Sequence, residues 1–172
     1  MRMIKVNYRN IETKEFLEDS SLLEISDSFK KYYNYPILVA KVDNDIMPLS
    51  EKITKKCDID FYDRSSDVGN EIYGRSLQFV LILAVKRLFG RDADIVVEHS
   101  IDKGVYCELH GASLDKPIVR KLASEMKKIV DENLIFTKVS VSRIDAIKYF
   151  KAKKKMDKVH VLKYISNTYI NL

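Results

Sequence analysis

Three side chains able to ligate a metal or act as a base fall within twelve residues of this chain: His99, Cys107 and His110. Cys107 and His110 lie three apart on a segment that reads as a strand. Alternate residues share a strand face, so these two point to opposite sides, and His99 can meet only one of them across a hairpin. A structural zinc site takes four ligands, so no metal is expected here. Arg75, Glu98 and His99 are a second candidate set, combining a guanidinium, a carboxylate and a titratable imidazole. The bland alternative is that Arg75 pairs with Glu71 one helical turn earlier, an exposed contact of about 0.3–0.5 kcal/mol.

The motifs that are absent restrict the chemistry further. None of the five glycines (Gly69, Gly74, Gly90, Gly104, Gly111) begins a Gly-x-x-x-x-Gly-Lys-Ser/Thr phosphate loop. No Gly-x-Ser-x-Gly elbow occurs either. No catalytic residue is therefore assigned, and no cofactor is expected within these residues.

The elements that position the candidates follow from the hydrophobic pattern. The chain has 172 residues, of which 46% are apolar and 32% charged. Its longest apolar run, Phe79–Val85, is far short of the about 20 residues of a membrane span. Met1–Val6 lacks the apolar core of an export signal, and two distant cysteines suit a reducing compartment. A cytoplasmic protein without a membrane partner is expected.

Ile4, Val6 and Tyr8 alternate with polar residues as a strand does, and Arg9-Asn10 turns the chain into a second strand ending near Phe16. Ser20 and Ser21 offer caps for a helix running to about Tyr33, closed by Asn34-Tyr35-Pro36. Ile37–Val42 reads as a buried strand, Ile46–Leu49 as a short one, and Cys57–Tyr62 as the last. This order predicts a mixed sheet crossed by one helix, a β-grasp module over residues 1–63. The polar stretch Arg64–Gly69 is the expected boundary.

A second module is expected over 70–172. It opens with a helix from about Asn70 to Phe89, ended by Gly90. A hairpin follows, with strands Ala93–His99 and Gly104–His110, then a helix over Ile118–Val130 capped by Ser113 or Asp115. A strand at Ile135–Val141 and helical segments after Ser142 complete the pattern. The expected class is α+β, the second module having antiparallel strands packed with helices.

Charge is uneven. Residues 1–66 carry 11 Lys+Arg and 12 Asp+Glu, a net of −1, and residues 67–172 carry 19 and 13, a net of +6. Lys151–Lys158 alone holds five lysines and one aspartate. Phosphate attraction is one reading of this run, but no arginine or aromatic residue interleaves it, so base stacking is not expected; a solvated helix end or linker is the preferred reading.

Arg75–Phe89, Glu98–Glu108 and Leu122–Leu134, in this order and spacing, resemble the additional domain that precedes the catalytic core of threonyl-tRNA synthetase. Residues 1–62 are similar to the TGS (β-grasp) domain found upstream of it. The same pair stands at the N-terminus of uridine-kinase-like bacterial nucleoside kinases, whose hairpin similarly reads Glu-His-Ser, Gly, Tyr-Cys-Glu. The resemblance spans essentially the whole chain.

The synthetase's editing domain carries two histidines four residues apart on its first helix. The matching positions here are Arg75 and Phe79, neither of which can serve as base or ligand at neutral pH. That domain's later Cys-and-His motif has no counterpart before Leu172, so the pattern of the second domain would continue past this point. The resemblance therefore implies an editing site without its chemistry. It also implies the accessory, regulatory or ligand-sensing region of a nucleoside kinase, with ATP and magnesium belonging to the parent and the kinase domain as partner. An RNA-binding or degenerate editing module of the synthetase kind is the alternative. Any ligand retained beside the hairpin should be small and anionic, such as a nucleotide, gripped by Arg75 with Glu98, His99 and Lys103 around it.

Overall fold

The structure, a computed structural model, describes residues 2–90, 93–101 and 104–171. It is mixed α+β, and the chain divides into two compact units, Met1–Asp131 and Glu132–Leu172. Five helices and nine strands are formed by the described residues.

The first unit begins with a five-stranded sheet in the order β2-β1-β5-β3-β4, made by β1 (Met3–Tyr8), β2 (Glu12–Leu17), β3 (Ile37–Val42), β4 (Asp45–Pro48) and β5 (Cys57–Asp63). β1 and β5 pair in parallel and every other neighbour is antiparallel. Alternation in β1 and β5 sends Ile4, Val6, Tyr8, Ile59 and Phe61 to one face. Helix α1 (Leu22–Asp27) covers that face with Leu22 and Ile25. Ser21 accepts from the Glu24 amide while the Glu24 carboxylate accepts from the Ser21 amide, a complete capping box.

The sequence predicts this helix to run to Tyr33, yet it stops at Asp27 and gives way to a 3-10 turn at Lys30–Tyr32. Core demand explains the early end. Phe29 is fully buried and stacks on Tyr8 at 4.5 Å between centroids, and the Ser28 amide tightens onto Ile25 O, three residues back.

β5 leads within three residues into α2 (Asp67–Phe89). Residues 67–69, expected in the connecting stretch, are the first turn of this helix. Ser66 caps it by accepting from the Gly69 amide at 3.1 Å, and Gly90, at φ 77°, ends it. The hairpin of β6 (Asp94–Ile101) and β7 (Gly104–His110) and helix α3 (Lys116–Asp131) complete the unit. Asp115, rather than Ser113, caps α3, its carboxylate accepting from the Ile118 amide at 2.8 Å. Ala84, Val85, Ala93, Leu122 and Ile129 form a second core, distinct from that under the sheet.

The second unit holds β8 (Ser140–Ser142), α4 (Arg143–Ala152), α5 (Met156–Tyr164) and β9 (Tyr169–Asn171), with β8 and β9 antiparallel. Its buried side chains are Ala146, Val159 and Leu162. Arg143 closes the unit, its guanidinium donating to Ile165 O and its amide to Thr168 O. The strand expected over 135–141 is a correction: only Ser140–Ser142 pair, and Ile135 is 89% exposed. The apolar residues there find no partner strand to alternate against.

No helix among the described residues is long and apolar enough to cross a membrane.

Candidate functional site

Arg75 lies on α2 two turns after the Ser66 cap. Its guanidinium donates to the Glu71 carboxylate at 2.5 Å, with both side chains more than 60% exposed. This is the ordinary i, i+4 pair of an exposed helix face. Phe79, one turn on, shares that face and is 63% exposed. These two positions of the helix face thus hold a cation already engaged and an aromatic ring, and neither offers a base.

Glu98 and His99 stand exposed on β6. The ladder slips by one residue here: Val97 opposes Cys107 and His99 opposes Tyr106, leaving Glu98 without a Cα partner. The His99 ring lies 5.3 Å from that of Tyr106. No hydrogen bond or ion pair among the described residues joins Arg75 to Glu98 or His99. Lys103 lies outside the described residues. His110 opposes Asp94 and its Nε2 is 3.8 Å from the Glu108 carboxylate. Burial pushes the Cys107 thiol up, away from thiolate chemistry. His99, Cys107 and His110 therefore meet three different neighbours. Among the described residues no group of three or more His, Cys, Asp or Glu is arranged to hold a metal.

The most developed polar arrangement centres on a residue that the sequence marks only as the expected end of a helix. Tyr33 crosses from the end of the 3-10 turn to β5. Its hydroxyl donates to Phe61 O at 2.8 Å and accepts from the Phe61 amide at 3.2 Å and from the Tyr8 hydroxyl at 3.0 Å. Burial, reinforced by the Tyr8 hydrogen bond, raises the Tyr33 phenol far above its ordinary range. Arg9, in the turn after β1 at φ 49°, pairs with Asp60 and reaches Phe61 O at 3.4 Å. Its guanidinium also lies 5.5 Å from the Tyr8 ring centroid and 5.6 Å from that of Tyr33.

Two shallow recesses flank this arginine. One, of about 170 Å³, is lined by Asn7, Arg9, Lys41, Asp43, Asp58 and Asp60. The other, of about 160 Å³, includes Tyr33, Asn34, Asp63 and Ser65. Both are polar, and both fall below the about 300 Å³ at which ligand pockets for drug-sized molecules begin. Arg9 is committed to Asp60 and to the sheet. The arrangement rigidifies the β-grasp and offers a nucleotide no enclosed seat.

No family model matches the chain. It is similar to the threonine–tRNA ligase of Carboxydothermus hydrogenoformans, 29% identical over 164 residues, which are 95% of this chain and 26% of that protein. It is similar also to the threonine–tRNA ligase of Finegoldia magna, at 30% over 161 residues, 93% of this chain and 25% of the relative. A third similarity is to that of Clostridioides difficile, at 26% over 164 residues, 93% of this chain and 25% of the relative. The chain spans about a quarter of the length of the curated relatives it matches. These comparisons carry the synthetase side of the resemblance, and nothing in them bears on a kinase parent.

Proposed function

We propose that residues 1–172 form an RNA-binding accessory region of the threonine–tRNA ligase kind, with a threonine tRNA as the expected partner and with the editing chemistry lost. The observation that carries this reading is similarity running through 93–95% of the chain to a quarter-length portion of those ligases. Arg75 and Phe79 supply the second half of it: on α2 they present an engaged guanidinium and a phenyl ring, and neither can take a proton from water. The role left to such a region is to hold or orient RNA for chemistry done elsewhere.

The test has two arms on the purified chain. Fluorescence anisotropy with a labelled threonine tRNA should report saturable binding that weakens with salt, as phosphate contacts require. Incubation with mischarged threonine tRNA should show deacylation at the uncatalysed rate. Absence of binding at low salt would overturn the RNA-binding reading. Deacylation above background would overturn the loss of editing.

The accessory region of a uridine-kinase-like nucleoside kinase is the second reading. It is favoured by the hairpin residues Glu98-His99-Ser100, Gly104 and Tyr106-Cys107-Glu108. ATP and magnesium would then belong to a phosphate loop in the chain that carries these residues.

A further inference from the structure

We infer that the second compact unit, residues 132–172, is the surface that grips the RNA, through the lysines of the α4–α5 turn and the tyrosines beside them. The inference rests on the RNA-binding reading above and adds where on the chain the contact is made.

The first observation is where the charge lies once the units are known. Unit 132–172 holds nine Lys+Arg against three Asp+Glu, a net of +6. The remaining 131 residues hold 21 Lys+Arg and 22 Asp+Glu, a net of −1. The whole positive excess of the chain is therefore confined to the smaller unit. A domain that only needed a solvated surface would intersperse the signs. A one-signed field on one body attracts polyanions.

Geometry concentrates this field. α4 ends at Ala152 and α5 starts at Met156, so Lys153, Lys154 and Lys155 make the turn between them, with Lys154 at φ 56°. Lys151 and Lys158 flank the turn on the two helices. Of the three acids, Asp145 pairs with Lys148 at 3.4 Å and Asp157 with Lys158 at 3.8 Å. Lys151, Lys154 and Lys163 have no carboxylate within ion-pair distance among the described residues. Phosphate oxygens would supply the anions that the unit lacks.

Aromatic rings stand where bases could stack. Tyr149 is 52% exposed with the Lys153 ammonium 5.8 Å from its ring centroid, and Tyr164 is 89% exposed at the end of α5. Lysines that follow a backbone, with exposed tyrosines on either side of them, suit unpaired nucleotides, whose faces stack on any aromatic ring. An anionic membrane is the competing polyanion. Adsorption to lipid needs an apolar face segregated from the charged one. On α5 the exposed Met156, Val161 and Tyr164 share their side of the helix with the exposed Asp157 and His160, so no segregated apolar face forms.

The experiment compares the full chain with two charge-matched variants. The first, K151Q/K153Q/K154Q/K158Q, strips the α4–α5 turn. The second, K52Q/K55Q/K56Q/K86Q, removes four exposed lysines from the first unit. Both lower the net charge by four, so a difference between them reports location. Binding of threonine tRNA is followed by anisotropy from about 50 to 300 mM salt, with sedimentation on phosphatidylglycerol vesicles as a parallel arm. Each lysine on a phosphate contributes roughly 0.7–0.9 to the slope of log K against log salt. The turn variant should therefore lose about 3 in slope and at least tenfold in affinity at 0.1 M salt. The first-unit variant should stay within twofold of wild type. Wild-type binding that both variants weaken equally, or that the turn variant leaves intact, overturns the inference while the RNA-binding reading stands. No tRNA binding by wild type overturns that reading and the inference with it. Vesicle binding without tRNA binding assigns the basic unit to lipid instead.

Discussion

Gly69 and Gly74 sit five residues apart on α2, and the structure assigns opposite signs to their replacement by alanine. In a helix interior alanine is favoured over glycine by about 1 kcal/mol, because glycine loses more backbone freedom on folding. Around Gly74 a Cβ meets nothing within 4 Å, so Gly74→Ala should stabilise by about 0.5–1 kcal/mol. At Gly69 the helix start is folded tightly onto the end of β5. A Cβ there would overlap the Asp63 carbonyl oxygen, lie 2.6 Å from its carbonyl carbon and 3.0 Å from Ser66 Oγ. Ordinary carbon–carbon contact is about 3.5–4.0 Å, so the shortfall is roughly 1 Å against backbone. That carbonyl also accepts from Ser66 Oγ and from the Ser66 amide, so moving it disturbs the helix cap. Overpacking of this kind costs about 1–3 kcal/mol. Collision with backbone belongs at the upper end, and subtracting the propensity gain leaves about 2 kcal/mol of destabilisation. Urea unfolding followed by helical circular dichroism measures both variants. Comparable stabilisation by the two alanines would refute the close approach of α2 to Asp63.

The remaining tests concern buried polar groups in the first unit. Tyr33→Phe removes the hydroxyl that serves the Phe61 amide, the Phe61 carbonyl and Tyr8, and should destabilise by about 1–3 kcal/mol in urea; a change under 0.5 kcal/mol would contradict the network. The Asp63 carboxylate is held below its usual range by hydrogen bonds from the Ser65 hydroxyl and amide. A depressed folded value contributes stability that is present above about pH 4 and lost as pH falls through it. The penalty of Asp63→Ala, read from urea midpoints, should accordingly be largest at neutral pH and shrink toward pH 3; a pH-independent penalty counts against the charged hydrogen bonds. Burial, followed by the nearby carboxylates of Asp43 and Asp58, pushes the Cys57 thiol up to about 11. At pH 8 a thiol reagent should modify Cys107 first and reach Cys57 only as the chain unfolds, and equal rates at the two cysteines would show the β-grasp core to be open.

How much of this could be read in advance varied with how local the cause was. β1, β5, the hairpin and α3 are written in alternation, caps and stripes, and each formed close to its expected bounds. The early end of α1 was not legible, because it depends on Phe29 being drawn under Tyr8 from another strand. The over-long strand at 135–141 came from apolar residues that alternate without a neighbour, and its actual partner, β9, is three residues without a pattern of its own. At the candidate site the Arg75–Glu71 pair was readable from spacing alone. The slip at Glu98 was not, since a bulge changes every opposition beyond it. The Tyr33 network was hidden for a further reason: two of its hydrogen bonds go to backbone atoms of Phe61, 28 residues away, which carry no residue-type signal, and another comes from Tyr8, 25 residues back.

On the proposed reading, in which editing is lost, the same helix explains how the fold could be kept while the chemistry changed. The buried residues of α2 are Gly69 at its start and Ala84 and Val85 near its end. The first fixes the helix to β5 through the cap at Ser66, and the other two enter the core with Leu122 and Ile129. Arg75 and Phe79 lie between these anchors with most of their side chains in solvent. Replacing an imidazole there with a guanidinium or a phenyl ring neither opens a cavity nor strands a buried polar group, the two changes that a core resists most strongly. On that reading, selection on folding and selection on catalysis would act on different residues of one helix. A chain can lose the second and retain the first, leaving its surface charge free to define what it binds.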